Sequence, residues 1–335
     1  MTDVSRLNQV FLVTAENERC LVLKVAADPG SAGVAREAAM LERLWSGGGG
    51  DLARFLPPVV GWDPAAGVLI LEMAPGARDL AEHHARGRFS RLLAGQAGRA
   101  LASLHEIGPE VGKDLPGRVD PTRSLRVHQP DLEELHGMSA AAIEFTSIIQ
   151  SSDELCAALD ELRASWKAGS IIHGDVRWDN CVALRGPDQD HWTRLQLIDW
   201  ELAAPGDPAL DIGALIGDYL HGWLQSIPIV DARDPARLLK HAAMPLRRIR
   251  PALRAFWKAY SQHRRCTAAE LSETLRRATG FAAARLLVAG LEEAQLVAEL
   301  RLSVLTLVPL SENVVMRPDE ASSRLLGLGA SPEAA

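Results

Sequence analysis

The sequence predicts an α+β protein with two lobes, a small N-terminal antiparallel β-sheet lobe with one helix and a larger, mainly helical C-terminal lobe. Three observations predict this class. The chain has 335 residues, which is too many for one small hydrophobic core. Short β-rich runs dominate residues 1–76, whereas apolar residues at helical spacing dominate residues 77–335. We therefore expect a boundary between lobes near residue 76.

The predicted small lobe has the order strand, strand, helix, strand, strand, which is typical of a small antiparallel sheet with one helix. The runs QVFLVT and RCLVLKVA, separated by the polar AENE, predict a hairpin. FLPPVVGWD and GVLILEMAPG predict two further strands split by a Pro/Asp turn. Between these pairs, SAGVAREAAMLERLWSG predicts a helix with Ser31 as its N-cap. Its apolar residues at helical spacing are Val34, Ala38, Leu41, Leu44 and Trp45.

The rest of the chain is predicted to be mostly helical. One helix carries Leu92, Leu93, Ala97, Leu101 and Leu104 on one face. Further helices are expected within 131–168 and at 209–224, 251–264, 267–307 and 318–327. Two short apolar runs, SIIHGD and LQLIDWE, interrupt this helical region. We expect them to pair with each other as two short strands.

Composition and charge exclude several classes of protein. Lys and Arg number 36 and Asp and Glu 43, so the net charge of −7 argues against nucleic acid as the main partner. The four cysteines form no CxxC pair, which argues against a disulfide framework or a zinc site. The N-terminus has no signal-peptide pattern, and no run approaches 18 uncharged apolar residues. We expect a cytoplasmic protein that binds neither nucleic acid nor membrane.

Polar side chains follow the two short apolar runs in the helical region. Asp175 and Asn180 lie in the loop after the first run, and Asp199 ends the second. If the two runs pair, these three side chains converge at one end of the hairpin. Two carboxylates and an amide are oxygen ligands that suit Mg²⁺. Asp and Asn are also common turn residues, so the hypothesis depends on what accompanies them.

A lysine inside the apolar run LVLKVA supports the hypothesis of a Mg²⁺ site. Lys24 in such a strand is expected to face a partly shielded site, where an unpaired ammonium is costly. The next helix offers Glu37 as its partner, with Glu42 as the less favoured choice. The alternative is an edge-strand lysine that faces solvent, and position alone does not decide between the two.

HGDVRWDN followed by LIDWE resembles the aminoglycoside phosphotransferase and choline kinase superfamily, whose loop reads HGDxxxxN before a second-strand IDxE. LASLH, LILEMAPG and GDPALDIG also resemble that family, and the resemblance runs from about Asn8 to Tyr219. It implies the protein-kinase-like fold, a nucleotide cleft between two lobes, and ATP or GTP with Mg²⁺ as cofactors.

The resemblance also implies roles for individual residues. Asp175 would be the base that accepts the substrate hydroxyl proton, and Asn180 and Asp199 would be metal ligands. Lys24, oriented by Glu37, would hold the nucleotide phosphates. The strand-to-linker positions Glu72 and Ala74 would add to nucleotide binding. His173 is expected to organise the loop.

Arg177 has two open interpretations. It lies two residues after Asp175, where its guanidinium could stabilise charge on the transferred phosphoryl group and so count as catalytic. It could equally be a surface arginine paired with Asp179.

The sequence departs from the family pattern in two places. SRLNQVF lacks glycines over the phosphates and leaves Asn8 and Ser5 as the cradle candidates, and the last 115 residues carry no acceptor signature.

The favoured function is an ATP-dependent O-phosphotransferase that acts on a hydroxyl of a small molecule such as an aminoglycoside, an amino alcohol or another metabolite. One alternative keeps the chemistry but makes the acceptor a Ser or Thr of a ribosomally made peptide, with a lyase partner and a leader peptide. A second alternative, from another class, is a binding protein with the same fold and no turnover.

Overall fold

The computed structural model describes residues 2–3, 9–14, 19–27, 32–47, 50–186, 191–228 and 242–328. The chain divides into two compact units. The first lies within Met1–Val119, Ala168–Gly206 and Ala259–Arg264, and the second within Asp120–Lys167, Asp207–Lys258 and Arg265–Ala335. The residue ranges of these units differ from those of the predicted lobes, because each unit combines three separate stretches of the chain. The boundary near residue 76 therefore stays a prediction.

The first unit contains the predicted antiparallel sheet, which has five strands in the order β1-β2-β3-β5-β4. The hairpin of β2 and β3 is present, in register from Gln9 opposite Val25 to Thr14 opposite Cys20. Because β3 is the central strand, the alternative of an edge-strand Lys24 is wrong. The strands are β1 (Thr2–Asp3), β2 (Gln9–Thr14), β3 (Cys20–Val25), β4 (Val59–Asp63) and β5 (Val68–Met73).

One helix, α1 (Gly33–Ser46), follows β3, as the apolar spacing predicts. Val34, Leu41 and Leu44 are buried, which anchors one face of the helix in the core. The residue at the N-cap is Ala32, whose side chain makes no capping hydrogen bond, and the predicted cap Ser31 lies outside the described residues.

Two smaller sheets are present among the described residues of the first unit. The first pairs β7 (Ser170–Ile172) with β10 (Ala204–Gly206), and the second has the order β6-β8-β9. The members of the second are β6 (Arg78–Asp79), β8 (Cys181–Arg185) and β9 (Trp192–Leu197).

The predicted pairing of SIIHGD with LQLIDWE is therefore wrong, because β9 pairs with β8 and not with β7. The apolar CVAL of β8 follows Asn180 without a turn signal, so this strand was not recognised as separate from the loop.

The first unit also contains α2 (Leu80–Ala85) and α3 (Arg91–Leu104). The α3 helix begins at Ser90, whose Oγ accepts a hydrogen bond from the Leu93 backbone N at 3.2 Å. Leu92, predicted on the buried face, is 46% exposed. At 100° per residue it shares a face with the polar Gln96 and Arg99, not with Leu93. The remaining predicted positions, Ala97, Leu101 and Leu104, are buried.

Among the described residues, the further helices continue the predicted helical pattern, with two corrections. The helix expected at 318–327 is α-helical only over Pro318–Glu320 and continues as a π-helix over Ala321–Leu326. The single helix expected at 267–307 ends at Gln295, and the exposed Leu296 follows it. No Gly or Pro marks this break, so periodicity alone did not reveal it. These helices are α4 (Leu132–His136), α5 (Ala140–Gln150), α6 (Asp153–Ala164), α7 (Pro208–Gln225), α8 (Leu246–His263), α9 (Ala268–Gln295), α10 (Leu302–Leu305), α11 (Leu307–Met316) and α12 (Pro318–Glu320).

The core of the second unit is built on the close approach of α7 and α9. A Cβ atom at Gly213 of α7 would lie 2.5 Å from the Ala278 carbonyl oxygen of α9, so only glycine permits this contact. Within the described ranges, no helix is long and apolar enough to span a membrane.

Candidate active site

Lys24 lies at the centre of a buried network of charges. Its Nζ donates to Glu37 Oε2 at 2.6 Å and to Asp199 Oδ1 at 2.7 Å. The side chain comes from the central strand β3, so it lies among the other strands and is only 7% exposed. The contact predicted between Lys24 and Glu37 is present, whereas Glu42 is exposed. A strand, the helix that follows it and a segment 175 residues further along therefore meet at one ammonium group.

The charges in this network support one another. Burial alone would lower the pKa of Lys24, but the carboxylates of Glu37 and Asp199 outweigh it and raise that pKa above its usual value. Complete burial raises the pKa of the Glu37 carboxyl, and the Lys24 ammonium opposes this shift. Glu37 Oε1 also accepts a hydrogen bond from the Trp200 backbone N at 3.3 Å. Both carboxylate oxygens of Glu37 are thus used, one by Lys24 and one by the residue after Asp199.

The loop after β7 is organised by a buried histidine. His173 Nδ1 accepts a hydrogen bond from the Asp175 backbone N at 3.3 Å, and its Nε2 lies 3.0 Å from the Ile198 carbonyl oxygen. Because a carbonyl can only accept, Nε2 carries the proton. The ring also packs on Trp200, with ring centroids 4.6 Å apart. These contacts match the loop-organising part expected for His173.

Asp175 and Asn180 are in direct contact across this loop. Asn180 Nδ2 donates to the Asp175 carbonyl oxygen at 2.9 Å and to Asp175 Oδ2 at 2.8 Å. The amide therefore fixes the orientation of the Asp175 carboxylate. Asn180 is buried and Asp175 is half-buried.

Gly174 is required where the loop meets the segment after β9. Its φ is +80°, a conformation that favours glycine, and an added Cβ would lie 2.6 Å from the Leu202 carbonyl oxygen. The loop carrying Asp175 is therefore packed directly on the turn at Trp200–Leu202, which follows Asp199.

Asp199 has an unusual backbone conformation, with φ 71° and ψ 63°. Such left-handed backbone is uncommon outside glycine and is often found at functional sites. At the base of the β8–β9 hairpin, Ile198 N donates to the Asn180 carbonyl oxygen at 3.0 Å. This bond places the residues before β8 and after β9 at the same end of the hairpin, as predicted for Asn180 and Asp199, although by a different strand pairing.

Arg177 adopts the arrangement of the surface alternative in this structure. Its Nη2 lies 3.6 Å from Asp179 Oδ2. Trp178, the residue between them, packs edge-on against His84, with ring centroids 4.5 Å apart. The distance of 3.6 Å allows only a weak ion pair, so the contact does not hold the guanidinium tightly.

The residues predicted to bind the nucleotide elsewhere are not brought into this network. The Glu72 carboxylate is held by Arg19, with Nε at 3.2 Å from Oε1 and Nη2 at 3.0 Å from Oε2. The Ala74 carbonyl oxygen accepts from Ala77 N at 3.1 Å in a turn. Asn8 and Ser5 lie outside the described residues. The nucleotide-binding roles of Asn8, Glu72 and Ala74 stay predictions.

The donor set at the end of the hairpin fits a divalent cation of the Mg²⁺ type. The Asn180 amide nitrogen is engaged with Asp175, so the carbonyl oxygen of the side chain is the atom that a cation can contact. Asp199 adds a carboxylate whose side chain is 37% exposed. In the part of the chain that the structure describes, no three His, Cys, Asp or Glu side chains form a metal cluster. Two protein ligands completed by phosphates and water are typical of Mg²⁺.

Sequence reasoning missed two contributors to this site. The Trp200 backbone N, which binds Glu37, has no signature in the sequence, because any residue supplies it. Arg36, next to Glu37, is buried, although charged side chains are mostly exposed. The signal that could have found it is Met40, which lies one turn further along the same face and is fully buried.

Comparison with protein families identifies the family of the chain. The phosphotransferase enzyme family matches residues 4–256, well over half of the chain. The chain belongs to this phosphotransferase family. The resemblance to aminoglycoside phosphotransferases and choline kinases is thereby confirmed, as is the predicted enzyme class, a phosphotransferase with an alcohol group as acceptor.

Several solved structures are similar to this chain in fold. A choline/ethanolamine kinase family protein from Mesorhizobium loti is 17% identical, with a TM-score of 0.52, and the match covers 97% of this chain and 91% of that one. A putative fructosamine-3-kinase from Thermobifida fusca YX-ER1 is 18% identical, with a TM-score of 0.53 and coverage of 94% and 92%. The amicoumacin kinase hAmiN, in complex with AMP-PNP, Ca²⁺ and Ami, is 14% identical, with a TM-score of 0.52 and coverage of 95% and 88%. These likenesses confirm the predicted α+β, protein-kinase-like fold. A search of curated protein sequences returns no significant match.

Proposed function

We propose that the protein transfers the γ-phosphoryl group of ATP to a hydroxyl group of a small molecule. The observation that carries this proposal is the Lys24 ammonium bound by Glu37 and Asp199, beside a loop in which Asn180 orients the Asp175 carboxylate. Phosphoryl transfer needs little covalent chemistry, so positioning and charge stabilisation are the main tasks of such a site.

Lys24 binds the nucleotide phosphates in this proposal. Its raised pKa keeps it cationic over the physiological range, and Glu37 holds its position on β3. In this structure the ammonium also occupies one oxygen of Asp199. A phosphate oxygen replaces part of that contact when the nucleotide binds, because an anionic phosphate and a carboxylate are equivalent partners for an ammonium.

Asn180 and Asp199 hold the divalent cation, with Mg²⁺ as the favoured ion. Both side chains offer oxygen atoms at the same end of the β8–β9 hairpin, Asn180 just before β8 and Asp199 just after β9. When bound, Mg²⁺ neutralises charge on the phosphates. The amicoumacin kinase was solved with AMP-PNP and Ca²⁺, which supports a nucleotide and a divalent cation here. ATP is the proposed donor, and GTP is the alternative nucleotide.

Asp175 orients the acceptor hydroxyl and accepts its proton. A carboxylate suits this part because it can hydrogen-bond the hydroxyl and take the proton late in the transfer. The Asn180 amide bound to Oδ2 keeps that carboxylate in one orientation. Arg177 leaves its weak contact with Asp179 to contact the transferred phosphoryl group, whose equatorial oxygens carry the charge. Glu72, Ala74 and Asn8 add contacts to the nucleotide.

The acceptor is a small molecule with a hydroxyl group. Structures with this fold include kinases described as acting on choline or ethanolamine and on fructosamine, and one solved with amicoumacin, which supports small hydroxylated molecules as the acceptor class. A peptide Ser or Thr, processed with a lyase partner and a leader peptide, is the competing acceptor and becomes an outcome of the experiment.

The experiment incubates the protein with Mg²⁺-ATP and a panel of aminoglycosides, amino alcohols, sugars and Ser/Thr peptides. ADP release and the acceptor mass are measured together. The proposal predicts an increase of one phosphate on a small molecule with equal ADP release. Phosphate appearing only on peptides would overturn the small-molecule acceptor, and no ADP release with any acceptor would contradict the proposed function.

A further inference from the structure

A buried arginine lies next to Glu37 on α1 and connects three parts of the first unit. Arg36 Nε and Nη2 donate to the Ala203 carbonyl oxygen at 3.2 and 3.0 Å. Its Nη1 donates to the carbonyl oxygens of Pro116 and Gly117 at 3.0 and 3.2 Å. The guanidinium therefore ties α1 to the segment after Asp199 and to a third stretch of chain.

The partners of this guanidinium are all backbone carbonyls. Among the residues described in 2–328, Arg36 makes no ion pair, although its side chain is buried. A buried charge without a carboxylate adds little net stability, and well-packed apolar residues often serve as well. What a planar guanidinium adds is direction, because its donors fix two acceptors in one plane. The geometry therefore indicates positioning more than stabilisation.

The segment that Arg36 holds is the short turn between Asp199 and β10. Its first residue, Trp200, donates its backbone N to Glu37, and its last, Ala203, accepts from Arg36. Two neighbouring side chains of α1 thus hold both ends of the turn. Ala203 N also donates to the Trp200 carbonyl oxygen at 3.1 Å, which closes the turn.

The other side of this turn is packed on the catalytic loop. A Cβ added at Gly174 would lie only 2.6 Å from the Leu202 carbonyl oxygen, so the turn and the loop are in van der Waals contact. A shift of the turn away from α1 would therefore move Asp199 relative to Lys24 and remove the packing against Gly174 that supports the loop of Asp175. The turn is fixed between the helix that carries Glu37 and the loop that carries the base.

We propose that Arg36 is a positioning residue for phosphoryl transfer, which holds the turn at residues 200–203 against α1 and so aligns Asp199 and Asp175 with Lys24. The inference rests on the proposed function. It assigns Arg36 no contact with the nucleotide or the acceptor. Its loss is therefore expected to lower kcat while the KM for the acceptor stays the same.

The chain offers a matched control on the same helix. Arg43, two turns further along, also donates to backbone carbonyls, those of Val111 and Lys113, with the Val111 bond at 2.8 Å. It has no hydrogen bond to the turn at residues 200–203 among the contacts of the described residues. R36M and R43M thus each remove an arginine of α1 that donates to backbone carbonyls outside the helix. Only R36M removes hydrogen bonds to the turn at residues 200–203.

The experiment measures kcat, both KM values and the melting temperature for wild type, R36M, R36K, R43M and D175N, with the best acceptor from the panel. R36M is expected to lower kcat about tenfold or more, because misplacing reacting groups by a fraction of an ångström is costly. R36K, which keeps the charge but cannot reach the Ala203 carbonyl and the carbonyls of Pro116 and Gly117 at once, is expected between R36M and wild type. R43M is expected to keep the wild-type kcat with a similar change in melting temperature.

A double-mutant cycle with Glu37 gives a second readout, the coupling between the two losses of activity. A merely structural role of Arg36 would not produce this coupling. R36M and E37Q act on the same turn, so the double variant is expected to lose less activity than the product of the single losses, whereas R43M and E37Q losses multiply. A kcat for R36M equal to that of R43M would overturn the inference while the proposed function stands. No phosphoryl transfer by the wild type to any acceptor of the panel would overturn the proposed function and the role of Arg36 together, whereas wild-type activity in D175N would remove Asp175 from the base role.

Discussion

Lys24 and Asp199 are 175 residues apart in the chain, yet Nζ of Lys24 lies 2.7 Å from Oδ1 of Asp199. Glu37 completes the contact at 2.6 Å and binds the Trp200 backbone N with its other oxygen. The ammonium in the centre of the sheet is therefore joined to the segment that follows the β8–β9 hairpin. The geometry of the site depends on the charges of Lys24, Glu37 and Asp199. Substitution of these residues therefore tests the site directly.

The first prediction concerns the partner of Lys24. E37Q removes the negative charge and keeps the shape, so the shortest contact of the ammonium is no longer an ion pair and the ammonium is less well fixed for phosphate binding. We expect the KM for ATP to rise by about tenfold, which corresponds to the loss of one hydrogen bond between charged groups. E42Q changes the exposed glutamate five residues along the same helix and is the control, with an unchanged KM. Equal effects of the two variants would contradict the pairing.

The second prediction concerns Gly174. G174A places a Cβ at φ +80° and 2.6 Å from the Leu202 carbonyl oxygen. The control is G87A, where φ is +66° and nothing lies within 4 Å of the added Cβ. The left-handed conformation costs both variants about 1–2 kcal/mol of unfolding free energy, and G174A is expected to lose at least about 1 kcal/mol more through the clash. Urea unfolding measures both, and equal losses would contradict the tight packing of loop on turn.

The third prediction is a pH dependence of stability that originates at His84. Burial lowers the pKa of His84 from 6.5 to about 3. Between these values the unfolded chain binds a proton that the folded protein does not, so the unfolding free energy falls as pH falls through this window. At pH 5 the loss from this residue is about 2 kcal/mol.

The variant H84F tests this dependence, because phenylalanine can pack between Phe89 and Trp178 without titrating. Urea unfolding at pH 7.5 and pH 5 gives the change for each protein. The wild type is expected to lose about 2 kcal/mol more than H84F between the two pH values, whatever their difference at pH 7.5. The same loss in both proteins would show that His84 is not the origin.

The fourth prediction concerns the divalent cation. D199N keeps a side chain that tolerates left-handed backbone but removes the charge, so Mg²⁺-dependent nucleotide binding is expected to weaken strongly. D114N is the control, because Asp114 also has a positive φ, 55°, and is exposed. Calorimetric titration of ATP with and without Mg²⁺, or after chelation, gives the metal-dependent part. Wild-type Mg²⁺ dependence in D199N would remove Asp199 from the cation site.

Much of the small sheet could be predicted from the sequence because its signals are local. The hairpin of β2 and β3, α1 and the β4–β5 pair follow from alternation and helical spacing between clear turn residues. The strand β8 could not be recognised, because its apolar run begins directly after Asn180. The end of α9 at Gln295 also lacks a local signal.

The site was predictable to the extent that chemistry restricts residue types. A lysine in an apolar strand needs an anion, which indicated Glu37, and clustered Asp and Asn indicated the loop of Asp175. The link between Lys24 and Asp199, the left-handed Asp199 and the carbonyl contacts of Arg36 depend on tertiary packing. No spacing in the sequence reports such contacts, because they join segments far apart in the chain.

The most direct test of the proposed function is the transfer rate of D175N at saturating Mg²⁺-ATP, measured with the nucleotide affinity of the same variant. Asn keeps the size of the side chain and its contact with Asn180 but cannot accept the hydroxyl proton. We predict a rate about 10²–10⁴-fold below wild type with ATP affinity unchanged. Transfer by D175N at the wild-type rate would contradict the assignment of Asp175 as the base, and with it the proposed mechanism.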